Sequence, residues 1–266
     1  MPLHHLQQDV PSGEGKPASL FEQLPAPMRR ALRWRLLFVG ATLGATLLLG
    51  LLSRANAAGG AYQVDDAAIN PTGECNVDAW HQRGHHKGRQ YRSVLAPACT
   101  FSALPDVQLG AALARERDGE SRYELLSPEL KTLLLSRGAL GLAVALAASA
   151  DFVLDRSHAV EAAGLTLPLT YQPGESLRLN ANLGWGYARD EGERNHRWRG
   201  GLGFEYTAAD VLSLVAERFG EQRGAQGWQA GPRLLLAPAL DLDLVLGRQL
   251  DAGRDRWLVT GATLRF

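Results

Sequence analysis

The sequence predicts an all-β fold, an antiparallel up-and-down barrel of about twelve strands. In residues 257–266, Leu258, Ala262 and Leu264 share one parity, while Gly261 and Arg265 share the other. This period of two is typical of a strand with one apolar face. The same alternation recurs upstream about a dozen times. The connections between these segments alternate between short and longer ones, as in a barrel with tight turns at one rim.

The N-terminal part of the chain has the features of an export signal. Residues 1–27 are rich in Pro, Gly, Ser and Gln without periodicity, so we interpret them as a disordered extension or as the result of a mis-assigned start before Met28. Four arginines within 29–35 then precede an uncharged apolar run, 36–52, and the small residues of Ala55-Asn56-Ala57 follow. We predict a signal peptide over residues 28–58, cleaved near Ala57. The alternative is a permanent membrane anchor, for which the run is short against ~30 Å of hydrocarbon.

Residues 59–266 are then the mature domain. A lead-in over residues 58–72 precedes the first strand, and we expect it to lie in the periplasm. The clearest strand is 177–187, where Leu177 and Leu179 alternate with Arg178 and Asn180. Residues 139–147 favour a helix by propensity, but their glycine-bearing alternation favours a strand. The predicted strands are 74–83, 90–101, 107–117, 121–134, 139–153, 158–171, 175–188, 196–207, 211–219, 227–237, 240–249 and 256–266.

The connections divide into two sets. The short ones are predicted at 102–106, 135–138, 172–174, 207–210 and 237–239. The longer ones are predicted near 84–89, 117–121, 154–157, 189–195, 220–226 and 250–255. With twelve strands, both termini fall on the side of the short turns, which matches the periplasmic rim of an outer-membrane barrel.

Taken together, residues 73–266 resemble the bacterial outer-membrane β-barrel proteins of porin-like type. The signal peptide, the alternating strands, the unequal connections and Phe266 after Leu264 carry this resemblance. It implies transmembrane strands and a location in the outer membrane of a Gram-negative bacterium. It also implies that the C-terminal strand with Phe266 is the assembly signal that the barrel-assembly machinery reads.

The composition of the two strand faces favours lipid as the solvent of the apolar face. One parity is almost entirely Leu, Val and Ala, whereas the other carries Arg, Asn, Asp and Glu, which the core of a soluble sandwich would not tolerate. The alternative is a soluble periplasmic β-domain. Aromatic residues also lie near the strand ends, as in interfacial girdles: Trp185, Tyr187 and Trp198 on the loop side, and Tyr171, Phe204, Tyr206 and Phe266 on the turn side.

The two cysteines fit a disulfide in the first hairpin. A turn centred at Lys87 places Cys75 opposite Cys99, and export would bring both thiols into an oxidising compartment. The alternative is two free thiols.

Charged and amide side chains of the polar parity are the candidate pore wall. A turn near Pro238 places Arg233 opposite Asp243, and a loop at 191–192 places Arg178 opposite Glu205. These residues form either a neutralised network that holds the barrel shape or the charged wall of a narrow pore. The full set of candidates is Arg178, Asn180, Asn182, Arg197, Arg199, Glu205, Glu217, Arg233, Asp241, Asp243 and Arg265.

The remaining groups of polar residues give weaker evidence for a functional site. His81, His85 and His86 lie in a basic, glycine-containing stretch that would repel cations, so we predict a solvated outer loop and no metal site. Formal net charge is +0, which gives no reason to expect nucleic acid as a partner. No cofactor motif is recognised. The residues Asp155, Ser157, His158, Asp190 and His196 could in principle serve a hydrolase at the outer rim, but they form no recognised motif, and no catalytic residue is predicted.

The predicted function is therefore a passive pore or transport component for small polar solutes, with outer-membrane lipid and the barrel-assembly machinery as partners. The alternative is a closed structural or interaction barrel with a salt-bridged lumen and binding outer loops. An outer-rim hydrolase is the third possibility.

Overall fold

The computed structural model describes residues 60–86, 88–154, 160–190, 193–251 and 255–266. All of them belong to one compact unit, Ala55–Phe266. The predicted signal peptide and its cleavage site lie outside the described residues. Within the described part of the chain, no helix is long and apolar enough to cross a membrane.

The described residues form a closed antiparallel barrel in which every strand pairs with its neighbours in sequence and the first strand pairs with the last. This confirms the predicted fold class. A single 3₁₀ turn, Gly138–Leu140, precedes the fifth strand. The twelve strands are β1 (Cys75–His86), β2 (Gly88–Thr100), β3 (Val107–Asp118), β4 (Ser121–Arg137), β5 (Leu142–Val153), β6 (Val160–Tyr171), β7 (Leu177–Asp190), β8 (Glu193–Ala209), β9 (Leu212–Glu221), β10 (Gln226–Ala237), β11 (Leu240–Gln249) and β12 (Arg256–Arg265).

The two parities of each strand face different surroundings. On β7, β8 and β11 the leucines point outward, and Leu183, Leu202 and Leu246 are 57%, 66% and 61% exposed. Their alternates Arg178 and Asn180 on β7 point into the lumen and are buried. An apolar outer face this extensive is stable in hydrocarbon, where a closed barrel leaves no backbone group unpaired.

Three of the tight turns lie where the sequence predicts them, whereas the turns predicted at 135–138 and 207–210 are displaced to 138–141 and 210–211, because β4 runs to Arg137 and β8 to Ala209. Residues 138–140, which include the start of the strand predicted at 139–153, form the 3₁₀ turn.

The opposite rim also differs from the prediction. Strands continue through most of the stretches predicted as longer loops, so that only Gly119 and Glu120 join β3 to β4. Strand β7 reaches Asp190 and β8 starts at Glu193. Polar residues beyond the apolar belt keep pairing because backbone hydrogen bonds need no apolar face.

The predicted disulfide is confirmed. Cys75 and Cys99 are bonded, with their Cα atoms 4.1 Å apart, and they are direct cross-strand partners on β1 and β2. Beside them, the backbone N–H of Gly73 donates to the carbonyl of Thr100 at 2.7 Å. The chain therefore enters β1 from a fixed point at the short-turn rim.

The lead-in before β1 lies inside the barrel, so the expectation of a periplasmic segment is wrong. Residues 60–70 run across the lumen, and we call them the lumen strap. Val64, Asp66 and Ala67 in this strap are 0% exposed. The backbone N–H and C=O groups of the strap bond to side chains of the wall and not to a neighbouring strand. The strap therefore needs no two-residue alternation, and its sequence has no periodicity.

Candidate functional site

The lumen and its strap form the candidate functional site. The C-terminal half of the strap is held by wall amides and hydroxyls. The Asn70 N–H donates to Gln108 Oε1 on β3 at 2.7 Å, and the Ala67 N–H donates to Thr170 Oγ1 on β6 at 2.8 Å. Thr170 in turn donates to Asn180 Oδ1 at 2.8 Å. These bonds supply the buried strap backbone with the partners that burial requires.

The middle of the strap is bound through its backbone by β9. The carboxylate of Glu217 accepts the N–H of Gln63 at 3.0 Å and the N–H of Val64 at 3.2 Å. Gln229 on β10 donates to Glu217 at 2.8 Å and to the carbonyl of Ala61 at 3.2 Å. One carboxylate and one amide thus fix three consecutive peptide groups.

A second amide binds the strap backbone from β7. In the orientation that satisfies both of its polar atoms, Asn182 donates to the carbonyl of Asp65 and accepts the Asp65 N–H, each at 2.7 Å. This pairing reproduces what a neighbouring strand would offer to a single residue. Asn182 therefore makes the same pair of hydrogen bonds to Asp65 that a neighbouring strand would make.

Glycines of the wall make room for the strap. A Cβ atom at Gly201 would lie 2.7 Å from a Val64 methyl, and one at Gly203 would lie 3.3 Å from the other. At Gly261 a Cβ atom would lie 3.2 Å from that of Ala61. Glycine inside a strand often marks the close approach of another backbone. Here that backbone is the strap.

Two cations hold the acidic residues of the strap. Lys131 on β4 lies 2.9 Å from an Asp65 carboxylate oxygen and 3.5 Å from one of Asp66. Arg178 on β7 lies 3.6 Å from Asp66. The side chains of Lys131 and Arg178 are 11% and 10% exposed. Charges that are this buried need partners, and Asp65 and Asp66 supply them.

A chain of ion pairs continues from Arg178 around the wall. Arg178 lies 3.4 Å from Glu205, Arg233 lies 3.6 Å from Glu205, and Arg233 donates to Asp243 at 2.9 Å. The strap joins this network through Tyr62, whose hydroxyl donates to Asp243 at 2.8 Å. The guanidinium of Arg233 lies 4.8 Å from the centroid of the Tyr62 ring, a cation–π contact.

The lumen is more open toward the other rim. There Arg197 and Arg199 lie 3.5 and 4.0 Å from Glu221, with side chains 39%, 46% and 34% exposed. Arg92 and Glu116 form a further pair at 2.9 Å. Solvated pairs of this kind contribute little stability.

The structure places every sequence-predicted wall residue on the inward parity. Arg178, Asn182 and Glu217 contact the strap directly, and Asp241 pairs with Arg265 at 2.5 Å below it. Arg197 and Arg199 lie apart, near the opposite rim. Sequence reasoning missed Lys131, Gln229 and the strap itself. Period-two alternation along β4 and β10 could have identified the first two, whereas nothing periodic marks the strap.

The remaining candidates do not form a site in the described residues. His81 lies within β1, in the predicted strand 74–83, and β1 continues through His85 and His86, so this stretch is not the outer loop that was expected of the three histidines. His81 bonds Ser93 Oγ at 2.8 Å. His196 stacks on Trp185 with the ring centroids 5.2 Å apart. Residues 155–158 lie outside the described part of the chain. Among the described residues, no group of three or more His, Cys, Asp or Glu could hold a metal ion.

Comparison with solved structures agrees with the architecture. The NanC porin superposes with a TM-score of 0.56 at 9% identity, over 71% of this chain and 98% of that porin. The KdgM porin gives 0.57 at 8% identity, over 72% and 99%. The COG4313 outer membrane channel from Pseudomonas putida F1 gives 0.55 at 12% identity, over 76% and 98%. The fold is therefore that of bacterial outer-membrane porins, which confirms the resemblance at that level.

No curated protein matches the chain. A family description, however, matches residues 47–266, which include all twelve strands and the strap. The chain belongs to the family described as "Uncharacterised conserved protein UCP029691".

Proposed function

We propose that this protein is an outer-membrane barrel that acts as a passive pore or transport component for small polar solutes. The observation that carries the proposal is the contrast between its two surfaces. Leucines cover the outside, whereas the inside carries ion pairs and amides from Asp241–Arg265 at one rim to Arg197–Glu221 at the other. Apolar inward residues of β2–β5, among them Val94 and Leu125, pack together on one side of this interior. A closed barrel with a polar lumen is the arrangement that outer-membrane pores use. The superposed NanC and KdgM structures are named porins, which supports the same function.

The strap narrows the passage in this proposal. It crosses the lumen at the level of Lys131, Arg178 and Glu217, all of which are buried. We further propose that the signal peptide is removed near Ala57. The strap would then be the N-terminal end of the mature chain, joined to the barrel only through the disulfide-linked base of β1. A segment tethered at one end can leave the lumen without unfolding the wall.

Conductance in planar bilayers tests the pore. We expect small conductance steps from the wild-type protein and larger steps from a variant that lacks residues 61–67, because the deletion removes the groups that fill the lumen. The variant Arg115→Gln serves as a control, since Arg115 and its partner Glu124 lie on the outward parity. A folded deletion variant without any conductance would contradict the pore.

The closed structural barrel is the second candidate, and the buried chain Arg178–Glu205–Arg233–Asp243 favours it. Ion pairs that are held away from water stabilise one arrangement of the wall against others. The two candidates predict different conductance for the deletion variant. A barrel whose lumen is closed by its own wall residues would not conduct ions even after the strap is removed.

We propose the barrel-assembly machinery as a partner, recognised through the C-terminal strand. The Phe266 side chain is 69% exposed, and its backbone exchanges two hydrogen bonds with Cys75 where β12 meets β1. Deleting Phe266 should lower the amount of folded barrel without affecting secretion. Heat-modifiable gel mobility measures the folded fraction, with Phe101→Ala as an exposed aromatic control. Equal yields from both variants would contradict the proposal.

A catalytic role is not part of the proposal. His196 is engaged with the outward-facing rings of Trp185 and Tyr187, and the superposed barrels with good agreement are named porins or channels. A covalent serine probe that labels the purified protein stoichiometrically would contradict this.

A further inference from the structure

We propose that the lumen is a binding site for an extended acidic peptide, and that the strap occupies it as a tethered ligand. The inference deepens the proposed function, on which it rests, by naming the class of solute that the pore selects. Three independent features of the wall carry it: groups that bind a peptide backbone, a groove that fits a small apolar side chain, and a cation placed for carboxylates.

The first feature is recognition of peptide groups. Glu217, Asn182, Gln229 and Thr170 bind the strap through its N–H and C=O groups and not through its side chains. Together they satisfy backbone groups over residues 61–67. Side chains that bond to backbone recognise any extended peptide of the right length, as in sites that accept peptides by strand addition.

The second feature is the groove at Gly201 and Gly203. Val64 fills it, and its two methyl carbons lie 2.7 and 3.3 Å from the positions that Cβ atoms at Gly201 and Gly203 would take. A groove of this shape accepts a small branched side chain and excludes a large one. It therefore fixes the register of a peptide with respect to Glu217 and Asn182, which bind the residues on either side of this position.

The third feature is charge. Within the described residues, the ion pairs of Lys131 below 4 Å are with Asp65 and Asp66, both on the strap. Lys131 is 9% exposed with the strap in place, and when the strap leaves it loses both of these carboxylates. A lumen cation whose ion-pair partners have left favours an acidic ligand. The two residues after the apolar position of a bound peptide should therefore be acidic.

A peptide supplied in trans tests the inference. The barrel lacking residues 61–67 is purified, its folding is checked by heat-modifiable mobility, and a fluorescent peptide of sequence AYQVDDA is added. We expect saturable binding by fluorescence anisotropy and block of the conductance. Replacing both aspartates of the peptide by asparagine should weaken binding about 10-fold or more. The variant Lys131→Met should reduce the preference between the two peptides, leaving the part that Arg178 contributes through Asp66, while Arg92→Gln, in the open part of the lumen, should keep it.

The readouts separate the two proposals. Binding of AYQVDDA without any conductance would support the peptide site and contradict the pore. Conductance without binding, or equal binding of AYQVDDA, AYQVNNA and a scrambled peptide, would overturn the peptide site and leave the pore standing. If the deletion variant does not fold alone, the peptide is added during refolding, where AYQVDDA should raise the folded fraction and AYQVNNA should not. Absence of rescue would overturn the inference.

Discussion

The pair Arg233–Asp243 shows how the environment decides the role of a charge in this lumen. Both side chains are 1% exposed, and their atoms Nε and Oδ1 are 2.9 Å apart. Tyr62 adds a hydrogen bond to Asp243 and a ring beneath Arg233. Glu221, which faces Arg197 and Arg199, keeps about a third of its side chain exposed. The same chemistry therefore gives a structural pair at one level of the lumen and a solvated one at the other.

Replacing Asp243 by Asn tests this difference. The change leaves Arg233 charged and buried without its closest carboxylate, so we expect the free energy of unfolding to fall by about 3–5 kcal/mol. The matched variant Glu221→Gln should change it by about 1 kcal/mol or less. Urea unfolding in lipid vesicles measures both. Equal effects of the two variants would mean that the lumen is wet throughout.

The glycines opposite Val64 permit a second test at the scale of single residues. Gly201→Val places methyl groups where Val64 now lies, so it should push the strap from its groove and raise the conductance, with a loss of roughly 1–3 kcal/mol from overpacking. Val64→Gly in the same chain should recover the stability. The neighbouring variant Gly200→Val is the control, because Gly200 faces outward and a Cβ atom there would meet its nearest non-neighbouring atom, the Asn182 carbonyl oxygen, only at 3.6 Å. Similar conductance from Gly201→Val and Gly200→Val would contradict the groove.

The strands were predictable to within a few residues because each carries its own evidence. Alternation defines a strand locally, and antiparallel pairing then fixes partners once a turn is located. The pairs Cys75–Cys99, Arg178–Glu205 and Arg233–Asp243 follow from three turns in this way. The outer connections were predicted too long, since polarity there marks the end of the lipid belt and not the end of backbone pairing.

The first hairpin gives a prediction at the scale of an element. The disulfide joins residues 24 apart in sequence, so the chain-entropy argument assigns it roughly 3 kcal/mol of stability. Reduction of the folded protein should lower the free energy of unfolding by up to that amount. The double variant Cys75→Ser/Cys99→Ser without reductant should match reduced wild type. Rapid alkylation of both thiols in unreduced, folded protein would show that the bond is not formed.

At the scale of the whole molecule, the barrel wall and the strap inside it differ in how their sequences indicate their structure. The strands of the wall repeat one alternation of apolar and polar residues, so twelve individually weak strand predictions support one another. The strap is a single segment whose contacts reach strands around the barrel, among them β3, β4, β6, β7, β9, β10 and β11. No pattern within residues 60–70 indicates those partners, because each depends on the closed barrel already being in place. The lumen residues were thus predictable, but the group that fills the lumen was not.

The position of signal cleavage decides whether the strap has a free N-terminal end inside the barrel. Gly60 lies against the ring of Trp80, where even a Cβ atom would come 2.2 Å from a ring carbon. A chain that starts at Ala58 or Gly59 would end its strap just beyond this contact and could enter and leave the lumen freely. We therefore expect the intact mass of protein purified from outer membranes to correspond to a start at one of these residues. A mature protein that keeps residues 36–52 would contradict cleavage, and the strap would then be tethered at both ends and unable to vacate the lumen by release of a free terminus.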